Sequence, residues 1–229
     1  MLLFVLFALF PALRDSVVAM APLARIQLQR FLAFLATRAR VFLMLFLAVS
    51  TVIGTASAAE GLEAKRVAQN KTNLAKMSPT VRAKVAAVIS DDEANGYKPI
   101  IDNAVWRSKA EQYALYKKGY SKVTFSFHNA STPSGQADSL AADITDQRYG
   151  WTGLAPKRFW MVQARSARVH GLYSGAHFGL SSENKRKLDA ALDARNFAYS
   201  GPLGWDVAHV EPTGITLGQA KAGKRPYSQ

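Results

Sequence analysis

The stretch Gly204-Trp205-Asp206-Val207-Ala208-His209-Val210-Glu211 carries one imidazole and two carboxylates within six residues. We predict a β-strand over all but its first residue, because β-branched and aromatic residues recur along it. Side chains alternate between the two faces of a strand, so Glu211 shares a face with His209 and Asp206 lies on the opposite face. For Asp206 to act beside His209, the chain must therefore bend or bulge near Val207.

Two earlier segments carry matching polar residues. Ser126-Phe127-His128 closes a predicted strand over Val123–Phe127, which alternates as strands do. After a loop, Ala141-Ala142-Asp143-Ile144 lies within a short apolar run, Ser139–Thr145, that we predict to be a buried strand. A carboxylate inside an apolar run needs a partner, because burying an unpaired charge is costly.

These residues suggest a metal site. Imidazole and carboxylate ligands suit zinc where no thiol is available, and the chain has no Cys. With His128, Asp143 and His209 as ligands, a fourth tetrahedral position stays open for water, as in catalytic zinc sites. A further carboxylate must then accept a proton from that water, and Asp206 and Glu211 are the candidates.

An arginine lies at another junction between two predicted elements. Trp106-Arg107-Ser108 follows an extended segment and precedes a helix, where the guanidinium can face a carboxylate or a developing oxyanion. Gln112, Leu115 and Tyr116 follow at helical spacing. An isolated arginine at such a position is more often simply solvated. A functional role for Arg107 is therefore considered only because Gln112, Leu115 and Tyr116 follow it.

Taken together, the motifs resemble the zinc D-Ala-D-Ala carboxypeptidase and L-alanyl-D-glutamate peptidase family, which includes the vancomycin-resistance dipeptidases and many phage endolysins. Ser126-Phe127-His128 and Ala141-Ala142-Asp143 match the ends of its first metal motif, and Asp206-x-x-His209-x-Glu211 matches its last. The Arg motif of the family matches Arg107 with the Gln112, Leu115 and Tyr116 that follow. The resemblance covers roughly Tyr97 to Glu211, in the family's order.

The resemblance implies a role for each residue. His128, Asp143 and His209 would ligate Zn²⁺, and Asp206 would be the general base. Arg107 would steady the substrate carbonyl or the tetrahedral intermediate. The resemblance thus favours Asp206 over Glu211 as the base, against the strand-face argument, and Glu211 is assigned the role of orienting a metal-bound His.

The spacing departs from the family pattern at one point. The family usually places the Asp seven residues after the His, whereas Asp143 comes fifteen residues after His128. The added residues include Ser131, Pro133, Ser134 and Gly135, which are typical of a surface loop. Asp138, closer to His128, is an alternative oxygen ligand, but Asp143 has the apolar strand context and is preferred.

Two further histidines are assigned mainly structural roles. Gly171–Gly179 is a Gly-rich segment that resembles a wall of the family's cleft, where His177 could touch substrate, although a structural role is favoured. His170 stands at a predicted helix end, where a cation interacts favourably with the helix dipole.

The remaining pattern predicts an α+β domain. By resemblance it is a small antiparallel sheet flanked by helices, with a zinc cleft. Glu60–Lys76 is polar and reads as a linker or an exposed helix. Local signals predict four helices and an extended segment: Thr80–Ser90 after Ser78-Pro79, a helix to Lys118 opened by a Ser108/Glu111 capping box, Pro156–Val169, a helix capped by Ser181 or Ser182, and extended chain over Tyr97–Val105.

The first 58 residues differ in composition from the rest. Val41–Ile53 is an apolar run that follows Arg38 and Arg40 and leads to Ala56-Ser57-Ala58, the pattern of a secretory signal cleaved after Ala58. A retained membrane anchor is the alternative, since Val41–Ala59 is uncharged and just long enough to span a bilayer. We therefore divide the chain into residues 1–58 (signal or membrane segment), 59–95 (linker and helices) and 96–229 (zinc peptidase domain).

Charge points to an anionic partner. The chain carries 29 Lys and Arg against 16 Asp and Glu, which gives a net charge of +13. Five of the basic residues and one acidic residue precede Ala59, so the rest of the chain has a net charge of +9. We predict an exported monomer, in the periplasm or cell wall, that hydrolyses peptidoglycan stem peptides as an L-alanyl-D-glutamate endopeptidase. A D-Ala-D-Ala carboxypeptidase or a non-catalytic wall-binding module are the alternatives. Nucleic acid is not expected, because no stripe of basic and aromatic residues was found in the strands.

Overall fold

The computed structural model describes residues 60–151 and 154–227, together with the isolated helical positions Phe34 and Met44. The chain divides into two compact units, Met1–Gly61 and Leu62–Gln229. The predicted signal or anchor over residues 1–58 lies outside the described residues, apart from those two positions. No described helix is both long enough and apolar enough to cross a bilayer.

A four-stranded antiparallel sheet lies at the centre of the second unit, as expected for the α+β class. The strands are β1 (Pro99–Ile101), β2 (Ala142–Asp146), β3 (Leu172–Ser174) and β4 (His209–Pro212), in the order β1-β2-β4-β3. All three pairings are antiparallel, and Asp143 on β2 lies directly opposite His209 on β4. This register brings residues far apart in the sequence to one point of the sheet.

The described residues from 60 onward form six helices. They are α1 (residues 60–75), α2 (Pro79–Ala94), α3 (Lys109–Lys117), α4 (Lys157–Val169), α5 (Ser182–Asp193) and α6 (Leu217–Lys221). Three further single turns of 3₁₀ helix are Asn103–Val105, Phe127–Asn129 and Gly175–His177. The predicted helices correspond to α2, α3, α4 and α5.

Local signals explain where the helices begin. The Ser108 side chain accepts a hydrogen bond from the N–H of Glu111, whose carboxylate accepts one from the N–H of Ser108 in return, which completes the predicted capping box of α3. Ser181 caps α5 in the same way, through the N–H of Asn184. Along α2 the fully buried residues Val81, Val85 and Val88 recur at helical spacing and face the core.

Residues 60–75 form helix α1, which packs against the sheet. The prediction of a linker for this segment was therefore wrong. The side chains of α1 pair with the outer edge of β1. Asn70 donates to the Pro99 carbonyl at 2.9 Å and accepts from the Ile101 N–H at 2.8 Å, and Asn73 donates to the Ile101 carbonyl at 3.1 Å. These polar residues of α1 are buried because they satisfy a strand edge that has no neighbouring strand.

Two strand predictions were wrong, one altogether and one in extent. Val123–Phe127 forms no strand, and His128 lies on the 3₁₀ turn that follows. The Gln112 side chain donates to the Val123 carbonyl at 2.9 Å and the Ser126 N–H donates to Asn129 Oδ1 at 2.8 Å, so these backbone groups are paired with side chains in place of a second strand. The strand predicted over Trp205–Glu211 begins only at His209.

Candidate metal centre

Three elements each bring one polar side chain to the same point. His128 comes from the 3₁₀ turn Phe127–Asn129, Asp143 from the second position of β2 and His209 from the first position of β4. All three are buried, and one ligand atom of each lies within 4.8 Å of the other two. This group can hold a metal ion.

Hydrogen bonds on the outer side of each imidazole fix which nitrogen faces the group. His128 Nδ1 lies 2.9 Å from the Val105 carbonyl oxygen, and His209 Nε2 lies 3.0 Å from Glu211 Oε2. Both acceptors require an N–H on the ring, so His128 Nε2 and His209 Nδ1 are the nitrogens left to face inward, 3.4 Å apart. Two inward lone pairs beside a carboxylate need a cation between them, either a proton or a metal ion.

The electrostatics of the metal-free protein show the same requirement. Burial on its own raises the pKa of Asp143, but the neighbouring His128 and His209 outweigh it and hold that pKa well below its usual range. Burial lowers the pKa of His209, but hydrogen bonds to Asp143 and Glu211 reverse this and raise it to about 10. Without metal, a proton therefore occupies His209 Nδ1, 3.0 Å from Asp143 Oδ1. A bound divalent ion would replace that proton.

Arg107 lies beside this group. Its Nη2 donates to Asp143 Oδ2 at 3.1 Å and its Nη1 donates to Gln112 Oε1 at 3.5 Å, while its backbone N–H donates to the His128 carbonyl at 3.1 Å. Gln112 is fully buried and is held by Ser121 and Val123, so it fixes the direction of the guanidinium. Within the described part of the chain, Arg107 Nε has no hydrogen-bond partner.

Asp206 reaches the same cleft because the chain turns immediately before β4. The N–H of His209 donates to the Asp206 carbonyl at 3.0 Å, which closes a turn through Val207 and Ala208. This is the bend that the strand pattern required. No side chain of the described residues hydrogen-bonds the Asp206 carboxylate, and burial raises its pKa.

Two glycines allow this turn to pack against the 3₁₀ turn Gly175–His177. A Cβ atom on Gly175 would lie 2.0 Å from the Asp206 carbonyl oxygen and 3.1 Å from His209 Cβ. A Cβ atom on Gly204 would lie 2.3 Å from the Gly175 carbonyl oxygen. The sequence pattern predicts that the Gly-rich segment lines the cleft, but it does not indicate that two backbones meet at Gly175, where only glycine leaves room for both.

The group opens into a cleft of about 630 Å³ lined by Arg107, His128, Asp143, Asp206, His209 and Glu211. Aromatic side chains complete its walls. Trp205 and Trp151 line it while remaining 70% and 59% exposed, and Phe178 and Tyr120 line it as well. Exposed tryptophans beside a polar centre offer contact area to a ligand. Neither Trp151 nor Tyr120 was predicted from the sequence to lie at the site.

The alternative ligand and the other two histidines lie elsewhere. Asp138 pairs with Arg225 and does not belong to the group, and the loop before it, which includes Pro133, is exposed as predicted. Both nitrogens of His177 are paired, with the Ser174 carbonyl at 3.2 Å and Asp189 Oδ1 at 3.1 Å, so His177 stabilises the 3₁₀ turn. His170 is the C-cap of α4 and pairs with Asp91 at 3.0 Å.

No protein-family model, curated protein sequence or solved structure matches this chain.

Proposed function

We propose that the protein is a zinc-dependent peptidase that hydrolyses the stem peptides of peptidoglycan, at the L-alanyl-D-glutamate bond. The observation that carries the proposal is the arrangement of one cleft. A buried His128-Asp143-His209 group, the Asp206 carboxylate, which no described residue hydrogen-bonds, and the cation of Arg107 all line it. The substrate class rests on the resemblance to the peptidase family, and it requires export of the domain, which the sequence pattern of residues 1–58 predicts.

Ligand chemistry and spacing support zinc. Two ligands about 2.0–2.1 Å from one tetrahedral ion lie roughly 3.3–3.4 Å from each other. His128 Nε2 is 3.4 Å from His209 Nδ1 and 3.5 Å from Asp143 Oδ2, and His209 Nδ1 is 3.0 Å from Asp143 Oδ1. An all-oxygen site would be expected for Mg²⁺ or Ca²⁺, and two imidazoles disfavour both.

The outer hydrogen bonds would keep the ligands in place during turnover. The Val105 carbonyl holds His128 and the Glu211 carboxylate holds His209, each through the ring nitrogen that faces away from the group. Such partners fix the ring orientation and raise the basicity of the inward nitrogen. The assigned role of Glu211 is therefore to orient and polarise His209, and its carboxylate is already engaged in doing so.

Two residues of the chain would accept the proton of the attacking water and stabilise the negative charge that develops on the substrate carbonyl. Zinc, when bound, supplies Lewis acidity and lowers the pKa of its water toward neutrality. Asp206, whose pKa is raised by burial, accepts the proton of the attacking water and returns it to the leaving amine. Arg107, held by Gln112, faces the cleft with its positive charge and stabilises the negative charge that forms on the carbonyl oxygen.

The test is digestion of purified peptidoglycan sacculi by the full-length chain, with added zinc or with a chelator. We expect new amino termini on glutamate in the zinc sample alone. Release of D-alanine in place of those termini would assign the related D-Ala-D-Ala carboxypeptidase activity. No new terminus and no released amino acid under saturating zinc would overturn the peptidase proposal.

A further inference from the structure

A basic trough runs from the cleft across the neighbouring surface. A groove of about 360 Å³ between residues 122–125 and α6 shares Lys122, Val123 and Leu217 with the cleft. A second groove of about 650 Å³ shares Phe125 and Lys221 with the first. We define the basic trough as these two grooves, which form one path because each shares wall residues with the next.

The charge of the basic trough has one sign. Lys122 and Lys221 line the first groove, and Lys109, Lys221 and Arg225 line the second, whereas neither lining contains an Asp or a Glu. The lysine side chains are exposed, and no ion pair of the described residues includes any of the three. Arg225 pairs with Asp138 and contributes less to the net charge.

Two other grooves on the described surface differ from the trough because a carboxylate lines each of them. Glu93 lines one together with Lys71 and Arg82, and Asp91 lines the other together with Arg165 and Arg195. Unpaired charges of one sign along a groove create a potential that attracts a ligand of the opposite sign. Because the trough joins the cleft at Lys122, a single extended ligand can occupy both.

We propose that the basic trough binds carboxylates of the stem peptides next to the one being cut, on the same glycan polymer. The inference rests on the proposed function and adds a binding surface to it. Peptidoglycan carries carboxylates at intervals along a polymer, so several can meet lysines at once. Each exposed contact is weak, but contacts made by one polymer add up once its first stem peptide occupies the cleft.

The experiment measures binding of the full-length protein to sacculi by cosedimentation, with chelator present so that no bond is cut. The variant Lys109→Gln with Lys221→Gln removes two charges of the trough, and Lys65→Gln with Lys71→Gln removes two exposed lysines of α1 that line neither the trough nor the cleft. At low salt we expect about a fivefold to tenfold weaker affinity for the first variant and an unchanged affinity for the second.

Two treatments of the sacculi identify the charge that is recognised. Converting their carboxylates to neutral amides should abolish the difference between wild type and the trough variant, whereas removing accessory phosphate polymers should leave it in place. Equal binding of the two variants, a difference that follows the phosphate polymers, or equally strong competition by single-stranded DNA would each overturn the proposal. Cleavage of a short soluble stem peptide is assayed separately with zinc, and its failure would refute the peptidase activity while leaving the binding result to stand by itself.

Discussion

Gly175 and Asp206 are in direct backbone contact across the cleft wall: a Cβ atom on Gly175 would lie 2.0 Å from the Asp206 carbonyl oxygen. The same imagined atom would lie 3.1 Å from His209 Cβ. One glycine thus packs against both the candidate base and a candidate metal ligand. The turn that brings Asp206 into the cleft depends on the absence of a side chain at residue 175.

The variant Gly175→Ala tests that dependence. The obstructing atom belongs to the backbone and cannot rotate away, so we expect the Asp206 turn to shift, at a cost of about 1–3 kcal/mol in the free energy of unfolding. Zinc affinity and peptide hydrolysis should both fall at least tenfold, measured by chelator competition and by release of amino groups. Gly61→Ala in α1 is the matched control, because a Cβ atom there would have no described neighbour within 4 Å. Equal behaviour of the two variants would contradict the packing argument.

Glu211→Gln tests the outer hydrogen bond of His209. Glutamine can still accept the bond from His209 Nε2, but the negative charge that polarises the imidazole is lost. We expect zinc affinity to fall by about 10- to 100-fold, measured by competition with a chromogenic chelator. Glu183→Gln, which removes an exposed charge that pairs with Lys187, should bind zinc as the wild type does. An unchanged affinity in Glu211→Gln would show that this carboxylate does not tune the site.

Asp206→Asn separates catalysis from metal binding. Asparagine keeps the shape of the side chain but cannot accept the proton, so kcat should fall by about 10²- to 10⁴-fold while zinc affinity changes little. His209→Ala should instead lose zinc affinity, because it removes one of the three candidate ligands. Asp193→Asn, on the exposed end of α5, serves as the control for loss of one carboxylate. Full activity in Asp206→Asn would assign the base to another group.

Signals contained within a few residues predicted helices α2 to α5 correctly, whereas α6 was not predicted and the α1 segment was predicted to be a linker or an exposed helix. The Ser108/Glu111 capping box and the Ser181 cap each involve neighbours in sequence, so their effect does not depend on the rest of the fold. Strands were harder, because their stability depends on distant partners. Residues 123–127 alternate as a strand does, but Gln112 pairs with the Val123 carbonyl and no strand forms there. The three-residue strand β3 was missed for the same reason.

Residue type and order along the chain were enough to predict the candidate site residues. The contacts that hold these residues in place could not be predicted in the same way. His128, Asp143 and His209 converge as the motifs predicted, because the β2–β4 register sets Asp143 opposite His209. The bend at Asp206 contradicts regular strand alternation and depends on contact with Gly175, which is 31 residues earlier in the chain. The polar face of α1 was likewise predicted to be exposed. Its partners are backbone groups of β1, which the side-chain pattern of the sequence does not indicate.

Asp92 provides a test of stability that is independent of the metal group. It lies in the last turn of α2, fully buried, and neither carboxylate oxygen has a hydrogen-bond partner within the described part of the chain. Burial, with smaller contributions from Asp91 and Asp146, raises its pKa from 3.8 to about 8. Ionisation of this group therefore opposes folding.

The sign of the pH dependence follows from proton uptake. Between about pH 4 and pH 8 the folded protein keeps the Asp92 proton that the unfolded chain releases, so this group lowers the free energy of unfolding as pH rises, by up to about 1.4 kcal/mol per pH unit. Asp92→Asn cannot ionise, and its stability relative to wild type should increase steadily over this window and level off above about pH 8. Urea unfolding from pH 4 to pH 9, with chelator present, measures the difference, and Asp193→Asn controls for loss of an exposed charge. Parallel curves for wild type and Asp92→Asn would show that Asp92 ionises normally in the folded protein.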